Sequence, residues 1–332
     1  MLRKRPAAGQ VGGANAPGSG AAGSAATMSL SAAIVRTARP RQWVKNVLVL
    51  AAPGAAGVLT HRVALGRSLL AFVVFCLASS GTYFVNDALD AEADRRHPTK
   101  RNRPVAAGAL QIGPAIALGL LAMVAAIGIA VAAGRSKLAI VIGVYLAVTL
   151  AYSIWLKHEP VLDIAAVAAG FVLRAIAGGV AAGVPLSNWF LIVASSGSLL
   201  MVSGKRHAEH VALGDARGEH RATLAAYSLP FLRYVRSVSS SVAMTAYFLW
   251  AFEKAGSSTP LIAQQSHTQP AAHGALWFEL SVIPFALGIL RYALLLDAGQ
   301  GGAPEDIVLG DRTLQVLGLA LVVMFAVGLY LA

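Results

Sequence analysis

Charge is what this sequence has least of. Asp, Glu, Lys and Arg together make up 13% of its 332 residues, about half the usual share of a soluble chain. Acids are the scarcer sign: 15 Asp and Glu face 27 Lys and Arg, a formal net charge of +12. A soluble domain of this length could bury a large core, but it would lack the polar surface to cover it. A soluble globular enzyme and a disordered chain are therefore excluded, and with 57% hydrophobic residues the membrane class remains. Cysteine is nearly absent. The single Cys76 lies in an apolar run, which excludes a disulfide framework and a cysteine zinc site and reads as a small buried hydrophobe. No Gly-rich phosphate loop, no His-Glu-x-x-His zinc motif and no nucleophile elbow occurs. The histidines, among them His97, His158, His207, His210 and His220, are scattered and are not expected to hold a metal.

What is present is a series of apolar runs. Residues 1–29 are Ala, Gly, Ser and Pro with three early basic residues. Without an apolar stretch behind them they read as a flexible tail rather than a signal peptide. Residues 30–332 read as one transmembrane catalytic domain. A spanning helix needs about 20 mostly apolar residues, and spans are expected near 42–60, 66–88, 113–133, 137–156, 161–183, 187–204, 230–252, 276–296 and 313–331. The fold class is thus all-α, a polytopic bundle of about nine helices. Alternate ends of these spans carry Arg36, Arg39, Arg41 and Lys45, then Arg95 to Arg103, Lys157, Lys205 to Arg221, and Arg312. That excess marks the cytoplasmic side of a cell membrane. Lipid contact accounts for part of it, and no nucleic-acid partner is expected.

Almost all acids lie on the same basic side. Asn86, Asp87, Asp90 and Asp94 fall at the end of the second span, and positions 86, 90 and 94 are spaced to stack along one helix face, with Asp87 beside them. Carboxylates this close repel one another unless a cation sits among them. Oxygen-only ligands favour Mg²⁺, which shares its remaining positions with substrate phosphates. Asp87, Asp90 and Asp94 are therefore the expected catalytic residues, with Asn86 as a fourth metal ligand. The basic run that follows supplies Lys100 and Arg103 as candidate phosphate ligands. Lys45, Asn46, Tyr152, Lys157, Lys205 and Arg206 sit at neighbouring ends and are also expected to bind substrate. Arg174 lies about a dozen residues into the fifth span, where a charge needs a polar partner, and is expected to anchor a phosphate inside the bundle.

The stretch Asn86-Asp87-x-x-Asp90-x-x-x-Asp94 resembles the first aspartate-rich motif of the UbiA-type intramembrane prenyltransferase superfamily. The likeness extends from about residue 36 to 332 through Arg39-Pro-Arg-Gln-Trp-Val-Lys-Asn46, Asp94 to Pro104, Leu173 to Val180, Gly204-Lys-Arg206 and Pro304 to Arg312. It implies a helical bundle with a Mg²⁺–diphosphate site open to the cytoplasm. Within the superfamily these motifs are most similar to the members that transfer 5-phosphoribose from 5-phosphoribosyl 1-diphosphate to decaprenyl phosphate, releasing diphosphate, for cell-wall arabinan synthesis. Where aromatic prenyltransferases carry a second aspartate-rich motif, this chain has Lys205-Arg206-His207-Ala208-Glu209. The alternatives are an aromatic or quinone-type prenyltransferase on the same fold and, further off, a lipid carrier or transporter. Homo-oligomerisation is left open.

Overall fold

The computed structural model describes residues 28–213, 222–256, 272–298 and 304–330. The expected tail lies outside the described residues save for Met28 and Ser29, and Ser29 already caps the first helix, its Oγ accepting from Ala32 N. Among the described residues every regular element is a helix. In chain order they are α1 (Leu30–Ala38), α2 (Ala51–Ala55), α3 (Arg62–Leu89), α4 (Ala91–Arg96), α5 (Ile112–Ala132), α6 (Ser136–Ile154) and α7 (Leu162–Ala182). There follow α8 (Asn188–Leu213), α9 (Ala222–Ala226), α10 (Leu229–Gly256), α11 (Ala272–Leu280), α12 (Val282–Asp297), α13 (Pro304–Gly310) and α14 (Arg312–Tyr330).

Six described segments are long and apolar enough to cross a membrane: α3, α5, α6, α7, the run Gly274–Asp297 and α14. Their outward faces expose Leu121, Val124, Ile140 and Leu319, as helices bathed in lipid should. The chain is a multi-pass membrane protein. Helices α8 and α10, 26 and 28 residues long, have the length to cross as well, but serines and terminal charges make them less apolar. The expected first span, 42–60, is not one α-helix. Residues Pro40–Leu50 form a 3-10 segment and only Ala51–Ala55 turn α-helical. Pro53 removes a backbone donor from this stretch, so no continuous ladder runs through it. The expected eighth span is interrupted too, at Ser281 just before Pro284.

Small residues set how closely these elements pack. A β-carbon on Gly178 of α7 would lie 1.7 Å from the carbonyl oxygen of Val49, so the 3-10 segment rests directly on the α7 backbone. Gly183 ends α7 in a left-handed conformation at φ 78, its N–H bonded to Gly179 O. Val49, Val74, Phe75, Leu138, Ile142 and Ala177 form the main apolar core around this contact. An apolar cavity of about 880 Å³, lined by Trp189, Tyr247, Trp250, Phe285 and Phe325, opens at the end away from the carboxylates.

Because the obstacle at Gly178 is backbone, it cannot rotate away. Gly178→Ala should lower stability by at least the ~1–3 kcal/mol typical of overpacking. Gly128→Ala, at a site with nothing within 4 Å, should melt like the parent. Thermal unfolding in detergent separates the two, and equal melting would refute the close contact.

Candidate active site

One face of α3 carries the polar groups. Ser79 and Ser80, then Tyr83, then Asn86 and Asp87, then Asp90 recur every three to four residues, so they line a single stripe. With a rise of ~1.5 Å per residue, it runs from mid-membrane depth to the basic end. The backbone carries the stripe past the end of α3: Asp90 N–H donates to Asn86 O at 2.9 Å and Asp94 N–H to Asp90 O at 2.8 Å.

The carboxylates along it are already engaged by cations. Asp87, only 2% exposed, accepts from Arg39 Nη2 at 2.5 Å and from Arg103 Nη1 at 3.2 Å. Arg103 Nη1 also reaches Asp94 Oδ2 at 2.7 Å. Asp90 accepts from Lys157 Nζ at 2.7 Å and, through its other oxygen, from Asn86 Nδ2 at 3.0 Å. The side chains thus divide differently from the expected 86–90–94 row. Asp87 and Asp94 share Arg103, whereas Asn86 and Asp90 pair with each other. Among the described residues no three His, Cys, Asp or Glu side chains converge as a ready-made metal site. The donor chemistry still fits a hard cation: carboxylate and amide oxygens, with no nitrogen or sulfur ligand. Beside Asp87 a cavity of about 310 Å³ is lined by Arg36, Arg39, Thr99, Lys100, Arg103 and Pro104.

Arg39 is the site residue that sequence reasoning left out of its set. Its signal was the following proline. Helix α1 must stop before Pro40, and Arg39 ends it in a left-handed conformation at φ 53, which turns the guanidinium onto Asp87 and over the Tyr83 ring, 4.6 Å from its centroid.

A second cluster adjoins the first. Arg206, 3% exposed, donates from Nε to Asp163 Oδ2 at 3.0 Å and from Nη1 to Glu209 Oε2 at 2.7 Å. Its Nη2 approaches the Tyr152 hydroxyl at 3.4 Å. Tyr227 donates its hydroxyl proton to Asp163 Oδ1 and accepts from Val161 N at 2.6 Å. Burial, reinforced by the bond to Asp163, holds the Tyr227 phenol above its ordinary range, so it stays a donor. Val161 adopts a positive φ of 70 to present that N–H, a conformation that is strained for a β-branched residue. Lys205, 44% exposed, lies 3.9 Å from Glu209. The two adjacent basic residues therefore have unlike surroundings.

Deeper in the bundle, Arg174 donates to Asn46 Oδ1 at 2.7 Å, to Gly170 O at 2.7 Å and to the Tyr145 hydroxyl at 3.0 Å. Asn46 in turn donates to Ser79 Oγ at 3.3 Å, tying Arg174 to the lower end of the stripe. These partners are all neutral groups. Lys45 stands beside Asn46 on the 3-10 segment, half-buried.

Arg206→Ala would strand Asp163 in the interior, and such breakage costs about 3–5 kcal/mol. Lys205→Ala, at a far more exposed position, should stay within about 0.5 kcal/mol. Melting of the two variants in detergent checks this, and equal losses would show that the Asp163 pairing does not support the fold.

The UbiA prenyltransferase family profile matches residues 47–308. A decaprenyl-phosphate phosphoribosyltransferase of Corynebacterium glutamicum is 44% identical over 307 residues, covering 91% of this chain and 88% of that protein. Its namesake in Mycobacterium tuberculosis is 46% identical over 301 residues, covering 88% of this chain and 92% of that one. A solved structure of a UbiA homolog from Archaeoglobus fulgidus bound to GPP and Mg²⁺ superposes with a TM-score of 0.59 at 17% identity, covering 89% of this chain and 98% of its own. The bundle, the acidic end of α3 and these matches agree, and the chain belongs to the UbiA prenyltransferase family.

Proposed function

We propose that this protein transfers 5-phosphoribose from 5-phosphoribosyl 1-diphosphate to decaprenyl phosphate, giving decaprenylphosphoryl 5-phosphoribose and diphosphate. The observation that carries the reading is the interleaving of carboxylates with Arg39, Arg103 and Lys157 at one end of the bundle. A donor bearing both a diphosphate and a 5-phosphate calls for that mixture of signs. The names of the relatives from Corynebacterium and Mycobacterium support the choice of substrates. The basic side is assigned to the cytoplasm of a cell membrane, and the product would serve cell-wall arabinan synthesis.

The reaction breaks the bond from C1 of the ribose to the diphosphate oxygen, and charge collects on the leaving group. Arg39, Arg103, Lys100 and Lys157 can donate to that charge from the rim. Asn86, Asp87, Asp90 and Asp94 would hold Mg²⁺, which would supply Lewis-acid stabilisation to the diphosphate. An oxygen of the lipid phosphate attacks C1; it is already anionic, so no strong base is required. It needs orientation and charge shielding. Lys45, Asn46 and Arg174 are assigned to that task from the deeper end, with Lys205 and Tyr152 at the side. Arg206 contributes by holding Asp163 and Glu209.

The test is incubation of purified protein with labelled 5-phosphoribosyl 1-diphosphate and decaprenyl phosphate. Labelled lipid should form, and EDTA should stop it. Asp90→Asn should lower kcat by about 10²–10³-fold, the usual loss when one electrostatic stabiliser is removed, with melting little changed. Transfer of a prenyl diphosphate to an aromatic acceptor in place of this reaction would overturn the proposal.

A further inference from the structure

On the other side of α8 from the Arg206–Asp163 pair lies a buried basic group that the proposed reaction does not use. His207 is 4% exposed, and neither ring nitrogen has a hydrogen-bond partner. Arg236 of α10 is 7% exposed, and its Nε and Nη1 both lack partners. Only its Nη2 is engaged, donating to Asp297 Oδ1 at the end of α12. The charges of Arg236, Asp297, Arg233 and His210 all reach His207. Positions 200, 204 and 207 share one face of α8. Gly204 on that face sits so close to α12 that a β-carbon there would come within 2.5 Å of Leu296. The group is thus wedged where α8, α10 and α12 meet, near the basic end.

Buried polar atoms are almost always hydrogen-bonded, and a desolvated guanidinium with two unused nitrogens is costly to keep. Among the described residues, two arginines and two imidazoles outnumber the one carboxylate, Asp297, that reaches this group. The missing partner is therefore an acceptor that brings several oxygens and negative charge. We propose that His207 and Arg236 form a second anion site that takes a phosphate group, separate from the carboxylate end of α3. A phosphomonoester supplies acceptor oxygens in several directions at once, matching donors that approach from different helices. The phosphate could arrive as a free ion or on a lipid headgroup, because the helix ends here lie at the membrane surface. This site does not depend on which reaction the protein catalyses.

The experiment uses the full chain in phosphatidylcholine nanodiscs, with melting followed by tryptophan fluorescence. One arm adds sodium phosphate against sodium chloride of equal ionic strength; the other replaces part of the lipid with phosphatidic acid. The melting temperature should rise in at least one arm. His207→Leu and Arg236→Gln should each raise the half-saturating concentration about ten- to hundredfold, the loss of one charge-assisted bond. His207→Leu removes a side chain with no hydrogen bond, so without anion it should melt no lower than the parent. It keeps the test decisive even if Arg236→Gln folds poorly. A response to phosphate alone supports the site and identifies a free ion. A response to phosphatidic acid alone supports it and identifies a headgroup. No response in either arm overturns the proposal, as does an unchanged response in His207→Leu.

Discussion

Asp87 is almost wholly buried at the end of a membrane-spanning helix, and everything around it follows from the need to keep that charge compensated. An isolated carboxylate at such a depth costs several kcal/mol. Arg39 and Arg103 come to it from two different loops, and each loop is shaped to deliver its cation. Arg39 takes a left-handed backbone conformation ahead of Pro40. Arg103 follows the short turn Lys100–Asn102 and clamps Asp94 as well. Lys157 arrives from a third loop to meet Asp90. The ion pairs that satisfy the acids thereby gather, at one rim, the donors that the proposed function assigns to a diphosphate.

The same principle divides the interior into regions with separate duties. Asp163, fully buried, is satisfied by Arg206 and Tyr227, which fixes α7, α8 and the segment before α10 against one another. Arg174 rests on Asn46, Gly170 and Tyr145, deeper in the bundle than the acidic rim. Between them the polar stripe of α3 gives a line of hydroxyl and amide groups from one end of this field to the other. Close packing at Gly178 holds Asn46 in place, since the segment bearing it lies directly on α7.

Much of this was legible in the sequence because it follows from composition and helical spacing. The missing charge gave the membrane class, and the long apolar runs that became α3, α5, α6, α7 and α14 carried no proline beyond the first turn. The 42–60 segment was harder, because hydropathy counts Pro53 and its glycines as tolerable, whereas an α-helical ladder does not. At the site, Asn86, Asp87, Asp90 and Asp94 were visible as a spaced group, but their partners were not. Spacing along one helix cannot say that Arg103, nine residues on from Asp94, turns back onto it, or that Arg39 faces Asp87 across 48 positions. Nor does a string of adjacent basic residues reveal that Arg206 is buried and Lys205 is not; that depends on which face of α8 meets Asp163.

The central claim is that the acid–base pairs at the end of α3 are the resting form of a phosphate and metal site. Its most direct test is an experimental structure in nanodiscs with 5-phosphoribosyl 1-diphosphate and Mg²⁺. The account predicts the metal among Asp87, Asp90 and Asp94, with Arg103 and Lys157 turned from the carboxylates to phosphate oxygens. A structure with the substrate bound elsewhere, and with the Arg39–Asp87, Arg103–Asp94 and Lys157–Asp90 pairs intact, would contradict it.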